Sequence, residues 1–449
     1  MMMQSLLRAS ISEVHQLFRR REVSPVEVLE QTLRLLETLE PKLNAFITVM
    51  AESAHQQARE AEEVFRRADD ATLLTGVPVS VKDLIAIESF PMTAGSRILR
   101  GYRPQVDADV VTRLRRAGAV VFGKTNLLEF AYGFVHPDYG QANNPWDFGR
   151  TAGGSSSGSA ASVAAGIGYS SVVTDTGGSA RLPAAFCGLV GLRPTTGTID
   201  TSGILPLAPT LDTVGVVART AADTRVMWEV LANAPTGGST PISLSGIRVG
   251  VVDELLGAPL DSEVLANFEA ALDTLRSAGA TVHRLRLPEI LALAEQSTTI
   301  MLAEAAYSHR RWYPHQSADY APGTRANLDT GTRTSAVDYL RALAARTRLT
   351  DIVDTTFETV DVLACPTIGF TAPEREPDFA DGGFDYIQRT FPFAVTGHPA
   401  LSVPAGLTSG NLPVGLQLIA PRNREQALVD YAACYERECG GFPHAPISG

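Results

Sequence analysis

Two Gly-Gly-Ser turns, Arg150-Thr-Ala-Gly-Gly-Ser155 and Thr174-Asp-Thr-Gly-Gly-Ser179, lie downstream of a lysine set among apolar residues, Val79-Ser-Val-Lys82-Asp-Leu-Ile-Ala86. These residue types suit acyl transfer without a histidine. A serine hydroxyl supplies the nucleophile, and a lysine neutralised by burial supplies the base. Two residues without Cβ before each serine let the backbone turn tightly and a substrate approach closely. Of the 38 basic residues only Lys42, Lys82 and Lys124 are lysines. Arginine stays protonated in protein sites, so a proton-transfer role at Lys82 cannot pass to it.

Two other motifs compete for the chemistry. Gly118-Ala-Val-Val-Phe-Gly-Lys-Thr125 matches a phosphate-binding loop, with Arg248-Val-Gly-Val-Val-Asp-Glu254 as a strand ending in a magnesium-binding acid. That reading gives a nucleotide-binding protein. Its loop, however, is Ala-Val-Val-Phe, which favours a strand, and Gly118 follows a helix where a phosphate loop follows a strand. Gly154-Ser-Ser-Ser-Gly158 matches a nucleophile elbow, with Ser156 as nucleophile and His398 as partner. The stretch from Asn144 to Gly153 reads as turn and loop, not as the strand an elbow needs. A flexible linker is the plain reading of the Gly/Ser stretch, but it runs directly into an apolar helix of small residues.

The elements that must position these residues form an alternating pattern. Ser24-Pro-Val-Glu27 has capping-box spacing with proline at the first helical position, and Leu29, Leu33 and Leu36 follow on one face. A second helix is expected over 51–67, and an amphipathic one over 109–117, closed by Gly118. Strands are expected at 77–81, 119–122, 170–174, 214–217 and 247–252, with later ones at 360–365 and 415–420. Strands alternating with helices imply an α/β fold with a sheet covered on both faces. The chain reads as one domain over 1–449: N-terminal helices to about 70, a core over about 76–230, a helical insertion or pocket wall over about 286–356, and a C-terminal segment over about 360–449 that rejoins the sheet. Cys187, Cys365, Cys434 and Cys439 lack metal-ligand spacing and read as buried thiols.

With 449 residues, 45% hydrophobic and 19% charged, the chain has the composition of a globular protein. Its formal charge of −11 opposes nucleic acid and anionic membrane partners. No apolar run reaches membrane-spanning length and the start lacks a leader pattern, so a cytoplasmic location is expected.

Several segments then carry a family resemblance: Gly76-Val-Pro-Val-Ser-Val-Lys-Asp83, Phe122-Gly-Lys-Thr-Asn126, Gly153-Gly-Ser-Ser-Ser-Gly-Ser159, Asp175-Thr-Gly-Gly-Ser-Ala-Arg-Leu-Pro183, Cys187-Gly-Leu-Val-Gly-Leu-Arg-Pro194, Gly397-His-Pro-Ala-Leu-Ser-Val-Pro404 and Pro413-Val-Gly-Leu-Gln-Leu-Ile419. Together they resemble the amidase signature family. The resemblance implies an α/β/α sandwich around a twisted mixed sheet. It implies a Ser-Ser-Lys triad, with Ser179 as nucleophile, Ser155 as bridging serine after a cis peptide, and Lys82 as base. Backbone N–H groups of Thr176, Gly177, Gly178 and Ser179 form the implied oxyanion hole. Asp175 and Arg181 orient the turn, and Ser156 hydrogen-bonds within the first turn. Ser157 stands where the family often has glycine. Lys124 and Asn126 match a motif but not the triad, and are expected to be structural. Alternation along the strand sends Asp83 away from Lys82.

Phe130, Tyr132, Phe134 and Trp312 are expected to line an acyl pocket for an aryl or aliphatic group, together with other aromatic residues of 305–320 and 384–393. Similarity to the subunit that makes aminoacyl-tRNA amides reads as partial, because Tyr-Gly-Phe-Val-His-Pro137 departs from it. The expected function is therefore a stand-alone amidase for a small-molecule amide, ester or carbamate, with no cofactor or metal and a homodimer as one open assembly state. The alternatives are a tRNA-type amidotransferase component and a non-catalytic assembly subunit.

Overall fold

The computed structural model describes residues 6–67, 70–235, 243–257, 259–377 and 384–446. Residues 1–5, part of the start read above for a leader, lie outside them. The capping box at Ser24 forms: Ser24 Oγ accepts from the Glu27 N–H at 3.1 Å and Glu27 Oε2 accepts from the Ser24 N–H at 2.7 Å. The helix runs Pro25–Leu43 and buries Leu29 and Leu36. Helices Ala51–Arg67 and Asp109–Arg116 also follow the expected bounds, and Gly118 closes the latter at φ 74°.

In chain order the strands are β1 (Phe46–Val49), β2 (Pro78–Lys82), β3 (Val120–Thr125), β4 (Asn143–Asn144), β5 (Asp147–Thr151), β6 (Ser170–Asp175), β7 (Val190–Arg193), β8 (Thr213–Ala218), β9 (Arg248–Val252), β10 (Thr281–Leu285), β11 (Val362–Pro366), β12 (Ala400–Leu407) and β13 (Pro413–Ile419). Among the described residues one mixed sheet has the order β1-β3-β2-β6-β8-β7-β12-β13-β11-β9-β10. β2 runs parallel to both β3 and β6, whereas β6 and β8 are antiparallel. The C-terminal strands β11, β12 and β13 lie in this same sheet.

Strand alternation feeds two cores. Val121, Val172 and Val216 enter one apolar cluster, while their neighbours Val120, Phe122, Val173 and Val217 enter another with Leu29, Leu36 and Leu43 of the Pro25–Leu43 helix. Both faces of the sheet are thus buried against apolar partners, which explains the continuous apolar runs in its central strands.

Three expectations change. The stretch 144–153 contains β5, paired with β4 as a hairpin, where turn and loop were expected. Its residues Asp147-Phe-Gly-Arg-Thr151 have little β-branched character, so local pattern does not reveal it. β1, β7, β10 and β12 were not anticipated either. Finally, Cys439 is exposed at a helix C-terminus, unlike the three buried thiols.

Candidate active site

β2 ends at Lys82, opposite Thr125 of β3, while Val81 pairs with Val172 of β6. Two residues farther along β6, Thr174 reaches the lysine. Lys82 is fully buried, and its Nζ donates to Ser155 Oγ at 2.7 Å and to Thr174 Oγ1 at 3.1 Å. Burial pushes its pKa down to about 7, against the upward pull of Asp175 and Asp212. Asp83 turns to the other side, 2.8 Å from Lys124 Nζ, and accepts from the Thr93 N–H at 2.8 Å and Thr93 Oγ1 at 2.6 Å.

The first turn lies between β5 and the helix Ser157–Ala164. Gly153 has φ 82°, and a Cβ there would meet Phe186 at 2.5 Å. The Gly154–Ser155 peptide is cis. Tyr386 Oη accepts from the Gly154 N–H at 3.2 Å and donates to Glu376 Oε1 at 2.9 Å, and Thr151 Oγ1 donates to Glu376 Oε2 at 2.6 Å. The turn carrying Ser155 is thereby tied to the C-terminal part of the chain. Ser156 Oγ donates across to the Thr174 carbonyl at 3.4 Å, so its bond joins the two turns instead of staying within the first.

The second turn leaves β6 and enters the helix Arg181–Cys187. Gly178 adopts φ 145°, and a Cβ on it would lie 2.4 Å from Thr390 Oγ1, the hydroxyl that donates to the Gly177 carbonyl at 2.6 Å. Asp175 braces the turn. Its Oδ2 accepts from Arg181 Nε at 2.9 Å and from the Ala180 N–H at 3.2 Å, and its Oδ1 accepts from Arg181 Nη2 at 2.9 Å and Arg193 Nη1 at 3.3 Å. All three charged side chains are fully buried. Burial alone would raise the Asp175 pKa, but Arg181 and Arg193 outweigh it and hold the carboxyl at about 2. Arg181 Nη1 reaches on to the Thr390 carbonyl at 2.9 Å and Gln417 Oε1 at 2.7 Å.

Ser155, Thr176, Gly177, Gly178 and Ser179 share the wall of one cavity, whose empty space is about 450 Å³ with its open mouth included. Ser155 and Ser179 therefore face a common space, although no direct hydrogen bond joins their hydroxyls. The remaining wall is largely apolar, from Leu128, Leu182, Leu207, Met301 and Ile387, with Tyr386, Tyr132 and Asn327. Among the described residues it contains no charged side chain.

Of the four aromatics expected in the pocket, only Tyr132 lines this cavity. Phe130 adopts φ 51° and turns into a buried cluster with His309, Trp312 and Tyr320, its ring centroid 4.4 Å from that of His309. Phe134 borders a separate open groove beside Glu374 and Glu376. The segment 286–356 is thus both a wall, through Met301 and Asn327, and an aromatic core. A left-handed residue such as Phe130 leaves no trace in hydrophobic periodicity.

The competing motifs do not assemble. Gly118–Thr125 leads into strand β3, where Lys124 is buried against Asp83 and donates to the Pro91 carbonyl at 2.7 Å. β9, which leads into the candidate magnesium acid, lies towards the opposite end of the sheet. His398 engages Thr396 Oγ1 at 2.8 Å and Asp354 at 3.0 Å, not Ser156. Asn126 is structural in its contacts, with Nδ2 donating to the Asn44 carbonyl at 3.0 Å. Sequence reasoning missed Thr174, Arg193, Asp212, Glu376, Thr390 and Gln417; Tyr386, one of the 384–393 aromatics expected in the wall, lines the cavity, but its bond to Gly154 was not anticipated. Thr174, Arg193 and Gln417 stand inside motifs quoted above. The others become visible only when distant segments meet. Among the described residues no group of His, Cys, Asp and Glu side chains is arranged to hold a metal, and no helix is long and apolar enough to cross a membrane.

The family model for Amidase matches residues 27–429. The chain belongs to the amidase signature family. It is 37% identical to a glutamyl-tRNA(Gln) amidotransferase subunit of Anaeromyxobacter dehalogenans (strain 2CP-C), covering 98% of each chain. Similarity to that subunit is therefore spread over the whole chain, not partial as expected. Among solved structures, a crystal structure of an amidase superposes with TM-score 0.88 at 31% identity, covering 96% of this chain and 99% of that one. The native peptide amidase from Stenotrophomonas maltophilia superposes with TM-score 0.84 at 28% identity, covering 98% and 99%. The protein is an amidase-signature hydrolase that acts on C–N bonds of amides.

Proposed function

We propose that the amidase cleaves a small neutral carboxamide through an acyl-enzyme on Ser179. The observation that carries this reading is the buried Lys82 amine, held near pKa 7 and 2.7 Å from Ser155, beside a cavity that Ser155 and Ser179 share. Neutral Lys82 takes the Ser155 proton as Ser155 takes the Ser179 proton. Ser179 Oγ then attacks the carbonyl carbon, and the resulting oxyanion is met by N–H groups of the Thr176–Ser179 turn. The proton returns through Ser155 to the leaving nitrogen, the C–N bond breaks, and water releases the acid by the reverse relay. Ester and carbamate substrates use the same steps with a different leaving group. Asp175 and Arg181 hold the turn in place. The apolar wall favours an uncharged acyl group.

A second reading is glutamine-dependent amide transfer to a tRNA-bound acid, favoured by the 37% identity to the amidotransferase subunit over 98% of both chains. That reading brings a nucleic acid and partner subunits with it. The uncharged cavity wall, in a chain of formal charge −11, argues for the first reading.

Labelling with a serine-reactive fluorophosphonate, followed by peptide mass spectrometry, tests the nucleophile. Modification at Ser179 supports the relay; modification at Ser156, or none, overturns it. Comparing ammonia release from glutamine and from neutral aryl and aliphatic amides separates the two readings.

A further inference from the structure

We propose that Asp212 is a positioning residue for the Lys82 relay, its carboxylate clamping the Thr176 side chain and keeping a negative charge behind the lysine. The inference rests on the Lys82 base reading given above. Asp212 immediately precedes β8, whose first residue Thr213 pairs with Asp175 at the end of β6. That register brings the carboxylate beside Thr176, the next residue of the turn. Thr176 Oγ1 donates to Asp212 Oδ1 at 2.6 Å, and the backbone N–H groups of Leu207 and Ala208 donate to Oδ2 at 2.9 Å and 3.1 Å. The carboxylate thus fixes two parts of the active-site wall at once, because Thr176 and Leu207 both line the cavity shared by the serines.

Asp212 faces a second cavity behind that wall, about 450 Å³ of empty space, lined also by Thr174, Thr176, Leu207 and Thr213. Thr174 is the residue whose hydroxyl accepts from Lys82. Thr174, bonded to the lysine, and Thr176, bonded to the carboxylate, thus line the same cavity as Asp212.

Charge balance gives Asp212 its weight. The carboxylates acting on Lys82 are Asp175 and Asp212. Asp175 is tied to Arg181 and Arg193, and beyond the end of β2 the Asp83–Lys124 pair balances itself. Asp212 has no ion pair among the described residues, and Arg193 acts on it only at longer range. Burial raises its pKa to about 6, opposed by its bonds from Thr176, Ala208 and Leu207 and by Arg193, so it carries charge where the relay works. A negative charge near an ammonium favours the protonated form. Removing it lowers the lysine pKa and frees the base at lower pH.

The test is the rate of Ser179 labelling by a fluorophosphonate from pH 5 to 9, which needs no knowledge of the natural substrate. In Asp212→Asn the midpoint of the acid limb is expected to fall by at least about 0.5 pH unit, and the plateau about tenfold as the turn loosens. Asp212→Glu restores the midpoint towards the parent value. Thr176→Val, which removes one of the bonds that keep the carboxylate ionised, lowers the plateau and moves the midpoint in the same direction as Asp212→Asn but by less. A parent-like midpoint in folded Asp212→Asn overturns the proposal. If that variant does not fold, Asp212→Ser, also uncharged and able to accept from Thr176, is judged by the same criterion. Lys82→Met separates the two layers of argument. If it keeps the acid limb, the base reading falls and this inference with it; if it loses the limb while Asp212→Asn leaves the midpoint unmoved, only the inference falls.

Discussion

Lys82 Nζ and Ser155 Oγ meet at 2.7 Å although 73 residues separate them in the chain, and neither is more than 3% exposed. One sits at a strand end and the other in the turn that Tyr386 holds through Gly154, so their distance is set by the sheet and its bracing and not by local flexibility. Burial lowers the Lys82 pKa to about 7, the property that the proposed base role requires.

Lys82→Met is expected to keep the fold, since a buried charge-capable amine is replaced by an apolar chain of similar length. Turnover should drop by about 10²–10⁴-fold, the usual share of general acid–base catalysis. Steady-state kinetics on a neutral amide, with circular dichroism as the check on folding, measures it.

The pH profile follows from the same residue. Only neutral lysine accepts the proton, and burial places its pKa at about 7. Activity should therefore be low below that value and climb as pH rises through it. A kcat/KM profile that is flat from pH 5.5 to 8.5 would exclude Lys82 as the titrating base.

Asp175→Asn leaves Arg181 and Arg193 buried beside a neutral amide. Breaking a buried pair in this way typically costs about 3–5 kcal/mol, readable by denaturant unfolding. The parent carboxyl sits at about 2 against an ordinary value of 3.8, so its contribution is in place above about pH 4 and fades as pH falls towards 2. The substituted protein should lose that component of its acid sensitivity.

Gly158 has no room for a methyl group: a Cβ would lie 2.2 Å from the Ala45 carbonyl oxygen and 2.6 Å from the Asn126 nitrogen. Gly158→Ala should cost about 1–3 kcal/mol through backbone displacement. It should lower Tm and, because this helix carries the turn before it, reduce activity in the fraction that remains folded. An unchanged Tm would mean that the helix shifts freely.

The geometry of the candidate site was legible where residue type and local structure coincide. The strand into Lys82, the strand–turn at Ser170–Ser179 and the capping box at Ser24 all carry their signals within a few residues. The family resemblance supplied the cis peptide at Gly154–Ser155, which no local pattern announces. Hidden from it were groups that act across distance, such as Gln417 and Thr390 on Arg181, and Tyr386 and Glu376 on Gly154. Phe130 shows another limit: its apolar type predicted a pocket wall, but its left-handed backbone sends the ring into the core.

Two of the three lysines, Lys82 and Lys124, are sealed in the sheet, leaving Lys42 as the one lysine ε-amine that faces solvent. Amine-directed reagents should therefore attach a dye or a resin at one side chain without touching the relay. The economy of lysines that draws attention to Lys82 also leaves Lys42 as the single side-chain amine for oriented immobilisation, once the chain's α-amine is blocked.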